Sequence, residues 1–292
     1  MIYLKKGKAM AKKPKKYKKE TKNNLLKIAA REELIKDTGK YTLFDDVFMN
    51  AVFLDKDACQ YVVRTITGMQ NVRIVDSRPQ HNIKCIATRS AILDVLAQDT
   101  DGTLYNIEFQ RADSENHARR VRFYGALVDS SFVPKGAKFA DVPNLICIYL
   151  SKTDIWKQGR SVYRIKKTFE GTDIPYNDGL EIIYANAAID DGTAISQLMQ
   201  YFQTADPTNG NHAALSARVR YLKTTEGGNE DMCEITQKYC DTVMFAEKVD
   251  QLAAMLRDGL DAERAYDYTR IPYERRAEAL AMAQEILAEE QE

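Results

Sequence analysis

The chain has 292 residues, and its 42 basic and 42 acidic side chains cancel to a net charge of zero. A chain of this length and composition can bury a large core, so we expect a globular protein with one main domain. No apolar run reaches the roughly 18 residues of a membrane-spanning helix, and no apolar signal segment follows the start. Five cysteines are scattered without a Cys-x-x-Cys pair, which indicates reduced thiols and a cytoplasmic location.

The neutral total hides a strongly basic beginning. Residues 1–27 contain eleven lysines and one glutamate, a charge of +10, which leaves −10 on the rest of the chain. A lysine block without regular apolar spacing cannot bury a core, so residues 1–35 are predicted to form a disordered arm. The arm is either a solubilising tail or a segment that binds DNA phosphates. In the second case the expected contacts are Lys12, Lys13, Lys15 and Lys16. The same composition restarts at Met10, so a start of translation there is a second interpretation.

Two helices are predicted next. Residues 45–53 repeat apolar side chains at four-residue spacing, which indicates an amphipathic helix that begins with Asp45 and Asp46. A second helical run covers residues 57–67 and ends at Gly68, a residue type that favours helix C-termini.

A β-hairpin is predicted at the centre of the fold, after a β-rich segment over residues 71–76. Two apolar runs, residues 91–98 and 104–110, flank the turn signal Asp-Thr-Asp-Gly. A two-residue loop would set Asp94 opposite a phenylalanine, whereas a three-residue loop would set it opposite Glu108. We favour the second register, because glycine is then third in the loop, where a type I turn followed by a bulge requires it.

Two carboxylates facing each other across a ladder repel, and when ionised they need a counter-charge. Neither strand supplies a basic side chain on that face. A Mg²⁺ ion would supply the counter-charge, because it binds carboxylate and main-chain carbonyl oxygens and keeps several waters for a phosphate substrate. The alternative is a solvent-facing hairpin with ordinary surface acids.

The remaining chain alternates between strands and helices and then becomes helical. Helices are predicted over residues 116–129 and 193–202, and strands over residues 143–150, 163–169 and 180–186. This alternation predicts an α/β fold with a central mixed sheet of four to six strands flanked by helices. A turn-rich loop ends the predicted domain of residues 36–206. Residues 207–292 are predicted to form a helical region, whose last helix suits pairing with a second chain in a homo-oligomer.

Several of these elements together resemble the PD-(D/E)XK nuclease superfamily. Asp94, a hairpin and then Glu108-x-Gln110 are similar to its signature in the form that has Gln in place of the usual Lys. Residues 41–53 resemble the Asp-x-x-Phe helix that opens its transposase-like, recombination-promoting family. Three later segments resemble the next helix and strands of that family: residues 119–132, 142–151 and 180–188.

The resemblance implies a restriction-endonuclease-like core and an endonuclease that cuts double-stranded DNA with Mg²⁺, or with Mn²⁺ in its place. Asp94 and Glu108 would bind the ion together with the main-chain carbonyl of Phe109, and Gln110 would orient the attacking water. Asp45 would take the Asp-x-x-Phe position near the active site, and Asp46, one residue on, is the competing candidate. For this aspartate and its neighbour, a role at the helix N-terminus is the alternative interpretation.

The resemblance also extends to the helix after the hairpin. Arg120 and Tyr124 match the family's Arg-x-x-x-Tyr and would contact a DNA phosphate. The competing hypothesis is a nucleic-acid-binding or scaffolding protein that keeps the fold and has lost activity. The intact Asp, Glu and Gln favour the enzyme.

Deleting residues 1–27 is expected to weaken binding to all DNA sequences alike while leaving cleavage at saturating DNA intact. Each lysine–phosphate contact contributes roughly −0.9 to the slope of log K against log salt, so the slope should fall by a few units. Salt titrations of DNA binding by the full-length and truncated chains measure this change. An unchanged slope would make the arm a solubilising tail.

Overall fold

The computed structural model describes residues 36–83, 91–111, 116–133 and 136–289, so the predicted arm lies outside the described residues. The first half contains α1 (Asp46–Phe53), α2 (Lys56–Thr67), β1 (Ile74–Ile83), β2 (Ala91–Asp99), β3 (Leu104–Gln110), α3 (His117–Phe132) and β4 (Leu145–Ser151). The second half contains β5 (Val162–Arg164), β6 (Leu180–Asn186), α4 (Ala194–Thr204), α5 (Ala213–Thr224), α6 (Glu226–Arg257), α7 (Ala262–Thr269) and α8 (Arg276–Glu289).

Six strands form one mixed sheet in the order β1-β2-β3-β4-β6-β5. The β1-β2-β3 pairings and the β5-β6 pairing are antiparallel, whereas β3-β4 and β4-β6 are parallel. The predicted α/β fold with a central mixed sheet is therefore confirmed. The first strand lies at the edge, where Pro79 is tolerated because an edge strand leaves half of its N–H groups unpaired.

The hairpin register is the predicted one. Val95 pairs with Ile107 and Leu96 pairs with Asn106. In the turn, the N–H of Gly102 donates to the carbonyl of Asp99, and Gly102 has φ +83°, a value that a side chain would strain. Local turn chemistry therefore fixes which side chains of β2 and β3 lie opposite each other.

One predicted strand was too long. Residues 163–169 were expected to be extended within the sheet, but β5 ends at Arg164. Beyond it the chain folds back on itself, and the N–H of Tyr176 donates to the carbonyl of Lys167. Ile165 still donates its N–H to the carbonyl of Ile182 on β6, but from Lys167 onward the segment pairs with itself, as in the bridge between Thr168 and Pro175.

The helices cover both faces of the sheet. The first core lies between the sheet and α1, α2, α4 and α5, and a second lies between the sheet and α3. A third core is formed by α6, α7 and α8. Because Leu215 and Val219 of α5 belong to the first core, packing continues past residue 206, and the predicted domain boundaries stay predictions. Within the described residues, no helix combines the length and apolar character that crossing a membrane requires.

The backbone of Gly228, in the first turn of α6, lies very close to the backbone of Tyr221 in α5. A Cβ at this position would overlap the main-chain carbonyl of Tyr221, whereas a Cβ at Gly227 would meet only the end of the Tyr221 side chain, 3.2 Å from its Oη. Gly228→Ala is therefore expected to lower the free energy of unfolding by about 2 kcal/mol, the usual cost of overpacking. Denaturant titration measures the loss, with Gly227→Ala as the matched control. Equal stabilities of the two variants would contradict the close approach.

Candidate active site

The two predicted acids meet where the β2–β3 ladder ends. Asp94 and Glu108 occupy the next facing positions after the pair Val95–Ile107. The main-chain N–H of Phe109 donates to Oδ2 of Asp94 at 2.8 Å, which turns the aspartate across the strands toward β3. The hairpin thus brings the two carboxylates together, as the three-residue loop predicts.

Glu108 is deeply buried and has little compensation. Its side chain is 2% exposed, and neither carboxylate oxygen has a hydrogen-bond partner among the described residues. Nη2 of Arg120 lies 3.8 Å from Oε2, within ion-pair range but beyond a hydrogen bond. Asn106, two residues earlier on the same face of β3, is 1% exposed, and both polar atoms of its amide also lack partners within the described part of the chain. Such groups are costly in a folded protein unless a ligand satisfies them.

Burial and mutual repulsion shift both acids in the same direction. Burial raises the pKa of Asp94 to about 6, an effect that the Phe109 N–H opposes and the charge of Asp46 reinforces. Burial, and after it the charge of Asp94, holds the pKa of Glu108 well above its ordinary value, although Arg120 acts in the opposite direction. The pair therefore resists full ionisation near neutral pH in the absence of a cation.

Gln110 lies on the same face of β3 as Glu108 and is held from two elements. Its Oε1 accepts hydrogen bonds from Nη1 of Arg120 on α3 and from the hydroxyl of Tyr149 on β4, both at 3.0 Å. The Arg120 guanidinium also lies over the ring of Tyr124, 5.2 Å from its centroid. The predicted pair Arg120 and Tyr124 is thus placed beside the predicted triad.

Comparison with known proteins agrees with this geometry. Residues 65–189 match the model of a family described as PD-(D/E)XK nuclease family transposase. Residues 65–189 are therefore similar to this nuclease family. The match includes the hairpin, the first helix after it and strands β4 to β6, and the mixed sheet flanked by helices is consistent with the restriction-endonuclease-like fold of PD-(D/E)XK nucleases. Neither the curated proteins nor the solved structures contain a significant match to the chain.

The two neighbouring acids at the start of α1, Asp45 and Asp46, have different partners. Oδ2 of Asp45 accepts from the N–H and hydroxyl of Thr42, at 2.7 and 2.8 Å. Asp46, in contrast, forms an ion pair with Arg111 and accepts from the hydroxyl of Tyr239 on α6 at 3.3 Å. Asp46 is also the acid of the two whose charge raises the pKa of Asp94. The catalytic role of Asp45 stays a prediction, and the geometry adds Asp46 to the surroundings of the site.

Sequence reasoning missed several side chains around the triad. In the sequence Tyr149 is one residue of an apolar strand, and His117 has no neighbouring motif that indicates a role. Only the parallel register, which sets Tyr149 beside Glu108, reveals the first, and the fold of α3 reveals the second. Arg111 had a local signal, since it follows Gln110 directly. Lys12, Lys13, Lys15 and Lys16 lie outside the described residues.

Within the described residues, no group of three or more His, Cys, Asp or Glu side chains is arranged to hold a metal ion. A metal at this site would therefore rely on the two facing carboxylates and on main-chain or water oxygens.

The raised pKa values predict that the metal-free protein loses stability as pH rises. Asp94 and Glu108 bind protons more tightly in the folded than in the unfolded chain, so stability falls between about pH 4 and pH 7. Glu108→Gln removes the repulsion, and we expect it to be more stable than the wild type at pH 8 by about 1–3 kcal/mol and to match it at pH 4. Denaturant titrations in EDTA at the two pH values measure the difference. A wild-type advantage at pH 8 would mean that the pair is not strained.

Proposed function

We propose that the chain is a Mg²⁺-dependent endonuclease that hydrolyses phosphodiester bonds of double-stranded DNA. The observation that carries the proposal is the buried carboxylate of Glu108, which faces Asp94 and has no hydrogen-bond partner among the described residues. Such a pair destabilises the fold unless a cation neutralises it, so a ligand accounts for it better than packing does. The match to a nuclease family supports the same conclusion.

The donor set fits a hard divalent cation. One oxygen of Asp94 accepts from a main-chain N–H, and the remaining carboxylate oxygens of the pair can face an ion. Asp94, Glu108 and the main-chain carbonyl of Phe109 are the proposed ligands for Mg²⁺, and Mn²⁺ takes the same oxygen donors. When bound, the ion would supply charge stabilisation at the scissile phosphate and would acidify a water.

The chain's own side chains do the positioning. Gln110 cannot act as a base or carry charge, so its proposed role is to orient the attacking water by hydrogen bonding. Asp45 is a proposed further acid of the site at the start of α1. A DNA contact is proposed for Tyr124, whereas Arg120, which the resemblance also assigns to a DNA phosphate, donates to Gln110. The arm contacts proposed with Tyr124 are Lys12, Lys13, Lys15 and Lys16. A cytoplasmic location and pairing of chains through the C-terminal helices also remain proposals.

Nicking of supercoiled plasmid tests the function directly. The wild type is expected to nick DNA with Mg²⁺ or Mn²⁺ and to stop in EDTA. Asp94→Ala and Glu108→Ala are each expected to lower the rate at least about 100-fold, because losing metal stabilisation of the transition state costs several kcal/mol. Asp101→Asn, on the exposed turn of the same hairpin, is the matched control and should cleave at the wild-type rate.

Ion binding supplies a second readout that does not depend on cleavage. Mg²⁺ should raise the Tm of the wild type and leave the Tm of Glu108→Ala unchanged, because only a folded site binds the ion. A wild type that shows neither cleavage nor a metal-dependent Tm would support the competing hypothesis of an inactive nucleic-acid-binding or scaffolding protein. Native-rate cleavage by either alanine variant would mean that the site is misassigned.

A further inference from the structure

The side chain of Gln110 has a defined orientation. A guanidinium has only donors, so the Gln110 atom 3.0 Å from Nη1 of Arg120 must be the amide oxygen and not the nitrogen. The hydroxyl of Tyr149 reaches the same oxygen, also at 3.0 Å. With both lone pairs of Oε1 engaged, Gln110 can address a ligand only through the N–H donors of Nε2.

The hydrogen bond between His117 and Tyr149 also has a defined direction. Tyr149 has a single hydroxyl proton, and it donates that proton to Gln110. At 2.9 Å from the hydroxyl oxygen, Nδ1 of His117 must therefore carry the proton that Tyr149 accepts. His117 is buried, and its ring meets the tyrosine ring edge-on with centroids 5.6 Å apart. Donors from β4 and from the first two turns of α3 thus converge on one amide oxygen.

Arg120 brings a full positive charge to this oxygen. A hydrogen bond from a charged donor is shorter and stronger than a neutral one, and it polarises the amide that accepts it. Polarisation makes the Nε2 hydrogens of Gln110 more positive and therefore better donors to an anion. The guanidinium is committed inward, toward Gln110 and Glu108, and its Nε is buried without a partner among the described residues.

We propose that Arg120, acting through the Gln110 amide, supplies the positive charge that lysine supplies in the usual PD-(D/E)XK signature. Gln110 then donates from Nε2 to the attacking water or to a phosphate oxygen, while Tyr149 and His117 are positioning residues that keep the amide oxygen turned away from the substrate. This inference rests on the proposed endonuclease function and specifies how that site works without the lysine.

Steady-state nicking kinetics with the full-length chain and Mg²⁺ test the inference. Arg120→Met is expected to lower kcat by about 10–100-fold and to change KM for DNA by less than about 2-fold, the pattern of a group that acts through another. Tyr149→Phe should lower kcat about 10-fold. The matched controls are Arg119→Met, on the exposed side of α3, and Tyr184→Phe, the register neighbour of Tyr149 on β6. Both should retain the wild-type kcat.

Testing Arg120→Met in a Gln110→Lys chain shows whether Arg120 acts through its charge or only through packing. In a Gln110→Lys chain the ammonium carries its own charge, and Arg120 becomes a like-charged neighbour that repels it. Arg120→Met should therefore leave kcat unchanged or raise it in this background. A structural role for Arg120 would lower kcat in both backgrounds and would overturn the inference.

The remaining outcomes are equally decisive. If Arg120→Met raises KM and reduces the slope of log K against log salt by about 1 with kcat unchanged, Arg120 binds a DNA phosphate and the inference is wrong. A Tyr149→Phe rate equal to that of Tyr184→Phe would also overturn the defined orientation. A wild type that fails to nick DNA refutes the endonuclease function itself. An active wild type whose kcat is unchanged by Arg120→Met refutes only the role of Arg120.

Discussion

Repulsion between Asp94 and Glu108 is the constraint around which the structure is arranged. The turn at Gly102 sets the register that places the two carboxylates opposite each other, and the burial of Glu108 limits how far water screens their repulsion. One guanidinium, that of Arg120, stands near Glu108 and is shared with Gln110. A site that only had to fold would gain from a neutral residue at either acid, so the pair is retained at the expense of stability in the way that functional sites are.

One face of β3 packs in the first core, and the other carries the polar side chains of the candidate site. Phe109 points into the first core, where its ring lies 5.4 Å from that of Phe53 and stacks against Phe202 at 6.0 Å. The opposite face carries Asn106, Glu108 and Gln110, the residues with unmatched or shared polar atoms. Because side chains alternate along a strand, tight aromatic packing on one face fixes the positions of the polar groups on the other. The apolar side chains of the hairpin therefore hold its polar side chains in position.

Local chemistry made part of this structure predictable. The hairpin register follows from a glycine third in its loop, and the end of α2 follows from Gly68, which has φ +83°. What depends on long-range packing was not predictable. Asp45 has an extended backbone at the N-cap of α1 whereas Asp46 is the first helical residue, so the different partners of the two acids did not follow from their spacing in the sequence. Likewise, the convergence of Tyr149 and His117 on Gln110 depends on the parallel register of β4, which a strand's own letters do not encode.

Charge balance around the site indicates the order in which ligands act. Arg111 is paired with Asp46, and Arg120 is directed at Gln110, so the described guanidiniums beside the triad are already committed. Ionisation of Asp94 and Glu108 would add further negative charge at the site, and the chain beyond residue 27 carries −10 in total. If the chain is the proposed endonuclease, a divalent cation bound by the pair would offset this negative charge before DNA approaches. The lysine-rich segment, residues 1–27, would then supply an attraction for DNA that the net charge of the remaining chain does not.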